Sequence, residues 1–337
     1  MVALPVVMVG TLYMFFARLR QHRLARLRWL RLVVGNALVL LLVLSLIVLA
    51  GEVYYRFLYD ITEASPLTRA SARWFERYYI LNNWGVRDNV DYENAIEPGH
   101  RRVTIIGDSF TVGQGVRDVE DRFANIVRRK RPAWEVHVLA GNGRQIEHHV
   151  DNPHLADPSY DIDVVVMAFF LNDVSDRNDE LTRFIQEVVD TRPKPGYVVR
   201  HSFLLDQLYW SWLEGTIDST QYRELMLRGY QGEVWREQTG RLVAFRGMIR
   251  GRGGTLCVIT FPFLDEPWES YSFTLAHQRL GELWGRLEVP HVDLFGSYGA
   301  YDPIELVVSA RDTHPNELAH SLAAEALLEL LDEVMAE

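Results

Sequence analysis

Val164-Val-Val-Met-Ala-Phe-Phe170 is apolar at all seven positions, and the fold turns on how this stretch is read. A strand covered on one face alternates apolar with polar residues; one that is apolar throughout is buried on both faces, as in the centre of a parallel sheet. Working outward from it, short β-branched runs at residues 103–106, 136–139, 256–261 and 289–294 supply four more strands. Amphipathic stretches at 123–129, 241–249, 275–287 and 318–335 fall between and after them. Strand and helix in alternation predict an α/β domain: a five-stranded parallel sheet with helices on both faces. In such sheets the reactive groups collect where strands end, at their carboxyl edge.

The composition agrees with a folded chain. Of 337 residues 48% are hydrophobic and 24% charged, with 15 Phe, 15 Tyr and 9 Trp, which excludes a disordered or low-complexity protein. The formal net charge is −10. Residues 1–50 contain six Arg and no acidic residue, so the remainder is more acidic still, and no basic stripe is left to neutralise nucleic-acid phosphates. Cys257, the only cysteine, has no internal disulfide partner and sits in the apolar run 256–261, where it reads as a small core hydrophobe.

Residues 32–50 hold no charge, and a helix of that length covers about 28 Å, enough to cross a bilayer. Trp29 and Arg31 precede this span; Glu52, Tyr54, Tyr55 and Arg56 follow it. Arg18, Arg20, Arg23, Arg26, Arg28 and Arg31 flank its N-terminal side, and cationic flanks stay in the cytoplasm. The expectation is therefore a membrane anchor over residues 1–51, with everything after it extracytoplasmic, on the periplasmic or cell-surface side. A shorter apolar stretch, 2–16, is a possible second span, and either choice leaves the main domain on the same side. Cleavage as a signal peptide near Val48 and Ala50 is the competing reading, against which stands an apolar core longer than such peptides carry. Residues 52–101 read as a juxtamembrane arm and 102–337 as the main domain. Within it 174–235 is a helical insertion rich in Phe203, Leu204, Leu205, Leu208, Tyr209, Trp210, Trp212 and Leu213. Ordinary packing of an inserted helix pair is the favoured reading of that run, ahead of an acyl-binding or membrane-facing surface.

Four loops then carry side chains with chemistry. Ile105-Ile106-Gly107-Asp108-Ser109-Phe110 puts a serine just past the first strand, where Gly107 allows a sharp exit and the Ser109 N–H faces a developing oxyanion. A helix cap or a phosphate loop uses similar residues, although the Gly-Lys-Ser/Thr ending of a P-loop is missing. After the second strand, Gly141-Asn142-Gly143 offers a backbone donor or an ordinary turn. After the third, Asn172 of Leu171-Asn172-Asp173 offers a carboxamide donor or an Asx turn. Ahead of the last helix, Arg311-Asp312-Thr313-His314-Pro315-Asn316 sets an imidazole beside a carboxylate; in extended backbone, residues two apart share a face. A solvated loop opening a helix is the plainer alternative there. Glu147, His148, His149, Asp151 and His154 form a further polar cluster, but adjacent histidines point apart and Asn152-Pro153 marks a turn, so no metal is expected.

Taken in order, these motifs resemble the SGNH hydrolases, or GDSL esterase/lipase superfamily, over about residues 102–330. Gly107-Asp108-Ser109 resembles the first block, with Phe110 in place of Leu. Gly143, or Gly141, resembles the second; Asn172-Asp173 the third, with Phe169 where a glycine is usual. His314-Pro315-Asn316 resembles the ending of the fourth, where the family has a carboxylate three residues before the histidine and this chain has Arg311. The resemblance implies a three-layer, flavodoxin-like sheet of five parallel strands and no cofactor. It implies Ser109 as nucleophile, His314 as base, and an oxyanion hole of Ser109, Gly143 and Asn172. Asp312 completes a triad, or the site works as a Ser–His dyad. The activity implied is ester hydrolysis through an acyl-enzyme on an acylated small-molecule, lipid or glycan substrate, and the extracytoplasmic position expected of the domain points to a substrate of the cell envelope. An O-acyltransferase acting on a polysaccharide and a non-catalytic, membrane-tethered binding module remain open as alternatives.

Overall fold

A computed structural model describes residues 3–21, 28–63, 68–214 and 219–336. Val2 of the first apolar stretch and Arg23 and Arg26 of the basic run lie outside them. The chain divides into two compact units, residues 1–60, 68–70 and 194–215 in one and residues 61–67, 71–193 and 216–337 in the other.

In the first unit a helix Ala3–Gln21 packs along a second, Arg28–Val53, which continues as a π-helical turn Tyr54–Leu58. Among the described residues one helix, Leu32–Leu58, is long and apolar enough to cross a membrane; the apolar part of the first, Val6–Phe15, is too short by that measure. The helix Phe203–Glu214 belongs to this unit. It does so because the buried Glu52 carboxylate accepts from Ser202 Oγ at 2.8 Å and Leu204 N at 3.0 Å. The expected insertion is thus divided. Residues 194–215 group with the apolar helix, and Leu213 is buried while Leu208 and Trp212 are 54% and 66% exposed, so plain core packing does not describe this face.

The second unit is built on five parallel strands: β1 Arg101–Gly107, β2 Trp134–Ala140, β3 Val164–Phe170, β4 Thr255–Phe261 and β5 His291–Asp293, in the order β2-β1-β3-β4-β5. β5 is shorter than the apolar run 289–294 suggests, because Asp293 caps a helix that starts at Leu294. Val103 is paired with Val136 on one side and Val164 on the other. β3 is buried at every residue, and its alternating side chains feed two cores. Val165, Met167 and Phe169 join Leu242, Phe245, Ile249 and Trp284 on one face. Val164, Val166, Ala168 and Phe170 join Phe123, Val127, Leu327 and Leu331 on the other. This is the three-layer, flavodoxin-like arrangement, and Cys257 lies within its second core, where burial pushes the thiol up to about 12.

Residues 71–101 are not a free arm. Trp74, Val86 and Tyr92 are buried in the second unit, and the Arg87 guanidinium lies over the Trp74 ring and donates to the carbonyls of Val112, Gly113 and Val116. The buried Asp88 accepts from Arg122, Arg128 and Tyr92, which together hold its carboxyl far below the usual range against the opposing pull of burial.

Candidate active site

In this strand order the chain leaves β1 toward β2 on one side and returns to β3 on the other, which opens a crevice at the carboxyl ends of β1 and β3. Gly107 ends β1 there. A Cβ on it would lie 2.0 Å from Thr111 Oγ1 and 3.0 Å from the Ala168 carbonyl, so only glycine lets the chain turn so close to its neighbour strand. Asp108 caps the short helix Ser109–Val112 by accepting from Phe110 N at 2.9 Å. Ser109 is the first residue of that helix, so its N–H lies outside the intrahelical ladder.

The opposite wall comes from an antiparallel pair, β6 Val307–Ser309 and β7 Asp312–Pro315. Because β7 is extended, Asp312 and His314 lie on one side of it. His314 Nδ1 is 2.5 Å from Asp312 Oδ1, and His314 Nε2 is 2.8 Å from Ser109 Oγ across 205 residues of chain. Asp312 is fully buried, and burial alone would raise its pKa. The facing His314 and hydrogen bonds from His314 and Thr62 outweigh that and hold the carboxylate below its usual range. Thr62 Oγ1 donates to Asp312 Oδ2, and His314 N donates to Oδ1 at 3.2 Å. Arg311 turns away from the imidazole: its guanidinium is 3.9 Å from Glu63. Asn316 accepts from Leu318 N and Ala319 N, closing the start of the final helix, Glu317–Ala336.

Ser109, Gly143, Asn172 and His314 line one cleft of about 670 Å³. Gly143, with φ +69°, has nothing near its missing side chain and no backbone acceptor for its N–H among the described residues. Gly141 lies under the Arg144 side chain, 2.6 Å from where a Cβ would be, and does not line the cleft. The loop between them is held by Asn142 Nδ2, which donates to Gln114 Oε1 at 2.6 Å. Asn172 lines the cleft and leads into a short 3-10 turn Asp173–Arg177; its carboxamide makes no side-chain hydrogen bond among the described residues, and its Oδ1 is buried without a partner there.

Behind the serine turn lies a second group that the motifs did not announce. Asp108, His149 and Asp173 are all buried. Asp173 Oδ2 accepts from Phe170 N at 3.1 Å and is 3.6 Å from His149 Nε2. Burial drives Asp173 well above the usual carboxylate range and pushes His149 down to about 4. Burial, with the nearby Asp173, pushes Asp108 up to about 7. The remaining members of the 147–154 cluster disperse: Glu147 and His148 are exposed, while His154 stacks on Trp84 at 4.2 Å. Thr62 had no sequence signal, since it lies in an aperiodic stretch 250 residues from its partner.

No family model matches the sequence, and no curated protein does. Among solved structures the chain is similar to a Bacillus subtilis protein, YXIM, at 11% identity, over 70% of this chain and 58% of that one, with a TM-score of 0.45. It is similar to the psychrotrophic esterase EstA from Pseudoalteromonas sp. at 10% identity, 70% and 100% coverage and a TM-score of 0.43. A member of the lipolytic protein G-D-S-L family from Veillonella parvula gives 14% identity, 68% and 97% coverage and 0.39. The chain spans less than two thirds of the first of these. With every one of these TM-scores below 0.5, the chemistry of the cleft has to be judged from its own geometry.

Proposed function

We propose that the chain is a membrane-anchored serine ester hydrolase of the SGNH type. The observation that carries this reading is the position of His314, with one ring nitrogen on the Ser109 hydroxyl and the other on a buried carboxylate. With the Nδ1 proton donated to Asp312, Nε2 is the acceptor for the serine proton. As Ser109 Oγ bonds to the ester carbonyl carbon, its proton passes to His314 and the carbonyl electrons move onto oxygen. The N–H groups of Ser109 and Gly143 and the Asn172 amide receive that charge, at about 3 kcal/mol for each well-placed donor. Collapse breaks the bond to the alcohol, which leaves with the proton from His314. Water, deprotonated by the same imidazole, then attacks the acyl-Ser109 ester; the acyl carbon–Oγ bond breaks, His314 returns the proton to Ser109 Oγ, and the acid is released. Asp312 stays ionised throughout and stabilises the imidazolium. Leu32–Leu58 is the anchor, with its Arg-rich end cytoplasmic and the cleft extracytoplasmic, and the substrate is an O-acyl ester of the envelope.

The test is turnover of a short-chain aryl ester by the full chain in nonionic detergent, together with fluorophosphonate labelling and identification of the labelled residue. Hydrolysis and labelling at Ser109, both absent from Ser109→Ala, are expected. Turnover that persists in that variant would remove the proposal. Transfer of the acyl group to an added polysaccharide, with no free acid, would replace hydrolase by acyltransferase.

A further inference from the structure

The cleft continues beyond the serine along the helix Asp179–Thr191. Phe184, Ile185, Val188 and Val189 of that helix line it, at the i, i+1, i+4, i+5 spacing of a single helical stripe. A surface helix ordinarily presses such a stripe into the core. Here Leu181 is the buried apolar residue, whereas Ile185 and Val189 are 41% and 52% exposed within the cleft. Phe170 and Phe263 contribute further apolar lining. At the end of the stripe stands Arg192, two helical turns or roughly 12 Å from Phe184.

Arg192 is the unusual member of this lining. Asp265, which also lines the cleft, is paired with Arg223 at 2.8 Å, a guanidinium it shares with Glu266 at 2.9 Å. Arg192 has no carboxylate and no side-chain hydrogen-bond acceptor among the described residues, and its Nε is buried without a partner. A buried guanidinium donor left unpaired is costly, and a planar, permanently charged fork is suited to carboxylate and phosphate oxygens. An apolar wall ending at an unpaired cation is complementary to a molecule with an apolar chain and an anionic group.

Resting on the ester-hydrolase reading, we infer that the substrate is an anionic amphiphile: an ester whose apolar chain lies along Phe184, Ile185, Val188 and Val189 and whose acidic group is held by Arg192. Arg192 is then a specificity-determining residue that touches substrate away from the bond that breaks, and it favours anionic over neutral esters of equal length.

Two measurements on the full chain in nonionic detergent test this. The first compares kcat/KM for 4-nitrophenyl monoesters ending in a carboxylate with neutral 4-nitrophenyl esters of equal chain length. The anionic series is expected to be preferred by about tenfold at low salt, with the preference falling toward unity in Arg192→Met and largely kept in Arg192→Lys. The second needs no turnover: binding of octanoate, octyl phosphate and octanol to Ser109→Ala, with and without Arg192→Met. Tighter binding of one or both anions than of octanol, lost with Arg192, supports the inference, and the two anions distinguish a carboxylate from a phosphate ligand. Equal binding of all three, or an anion preference that survives Arg192→Met, overturns it. If no ester is hydrolysed and the Arg192-dependent binding preference is nonetheless found, the hydrolase reading fails while the anion subsite stands.

Discussion

Two histidine–carboxylate pairs lie close to the Ser109 turn, and the protein treats them in opposite ways. In both, the carboxyl is removed from water: Asp312 and Asp173 are each fully buried. Asp312 accepts from His314, from the His314 backbone and from Thr62, and its pKa goes down. Asp173 accepts one backbone N–H, leaves Oδ1 without a partner among the described residues, faces a histidine at 3.6 Å, and its pKa goes up. Burial by itself therefore does not set the direction in which a carboxyl shifts. The number of donors aimed at it decides, because each donor favours the ionised form while desolvation opposes it. One pair sets a carboxylate favoured in its ionised form in line with an imidazole and a hydroxyl; the other lies beneath the loop that presents the hydroxyl, with burial opposing charge on both of its members.

The sharpest way to break this contrast is to remove the charged pair. His314→Ala and Asp312→Asn are each expected to lower ester kcat by about 10³–10⁴-fold, measured on the aryl ester, with unfolding midpoints close to that of the parent. An Asp312→Asn enzyme within tenfold of the parent would show that a Ser–His dyad suffices.

Next in size is a pH effect on stability. Asp108 has a pKa of about 7 in the folded chain and an ordinary carboxylate value near 4 when unfolded, so the folded state holds its proton more tightly. Its contribution is complete below pH ~4 and is lost as the pH rises through 7, a swing of up to about 4 kcal/mol. Asp108→Asn keeps the cap on Phe110 and abolishes the titration. Denaturant midpoints of the two proteins are expected to diverge between pH 4 and 7, with the variant gaining on the parent. Parallel curves would mean that Asp108 is ionised throughout.

Asn172→Ala is expected to cost about 10²–10³ in kcat, or about 3 kcal/mol, with little change in stability. A large fall in the thermal midpoint would recast Asn172 as a turn residue rather than an oxyanion donor. Smallest of all should be His149→Leu. Its ring nitrogens have no hydrogen-bond partners among the described residues, so an apolar side chain of similar size should leave kcat within a few-fold and stability within about 1–2 kcal/mol. A loss on the scale of His314→Ala would show that the second pair takes part in the chemistry and would erase the distinction between the two.

Much of the scaffold could be read along the chain because its signals are local. Seven consecutive apolar residues in β3 feed two cores by simple alternation, and β4 begins one residue before its predicted run and ends with it. The extended Asp312-Thr313-His314 needed only the period of a strand for its two polar side chains to share a face. Residues 71–101 were harder: the helix Arg69–Tyr78 is only ten residues long, and beyond it Arg87 and Tyr92 are buried one at a time between elements distant in the chain. Residues 194–215 were assigned to the insertion, yet they group with the apolar helix through a carboxylate at Glu52 whose partners lie 150 residues away.

From sequence alone come the alternation of strands and helices, the apolar helix with its basic flank, and the identities of a serine, a histidine and an asparagine at strand ends, since each is written in neighbouring residues. Tertiary structure decided that Asp312 rather than Arg311 faces His314, that Thr62 steadies it, that Gly143 and not Gly141 meets the cleft, and that Arg192 is left unpaired in the same cleft. Those outcomes depend on which distant groups meet and on how many donors each buried charge collects, and neither quantity exists until the chain has closed on itself.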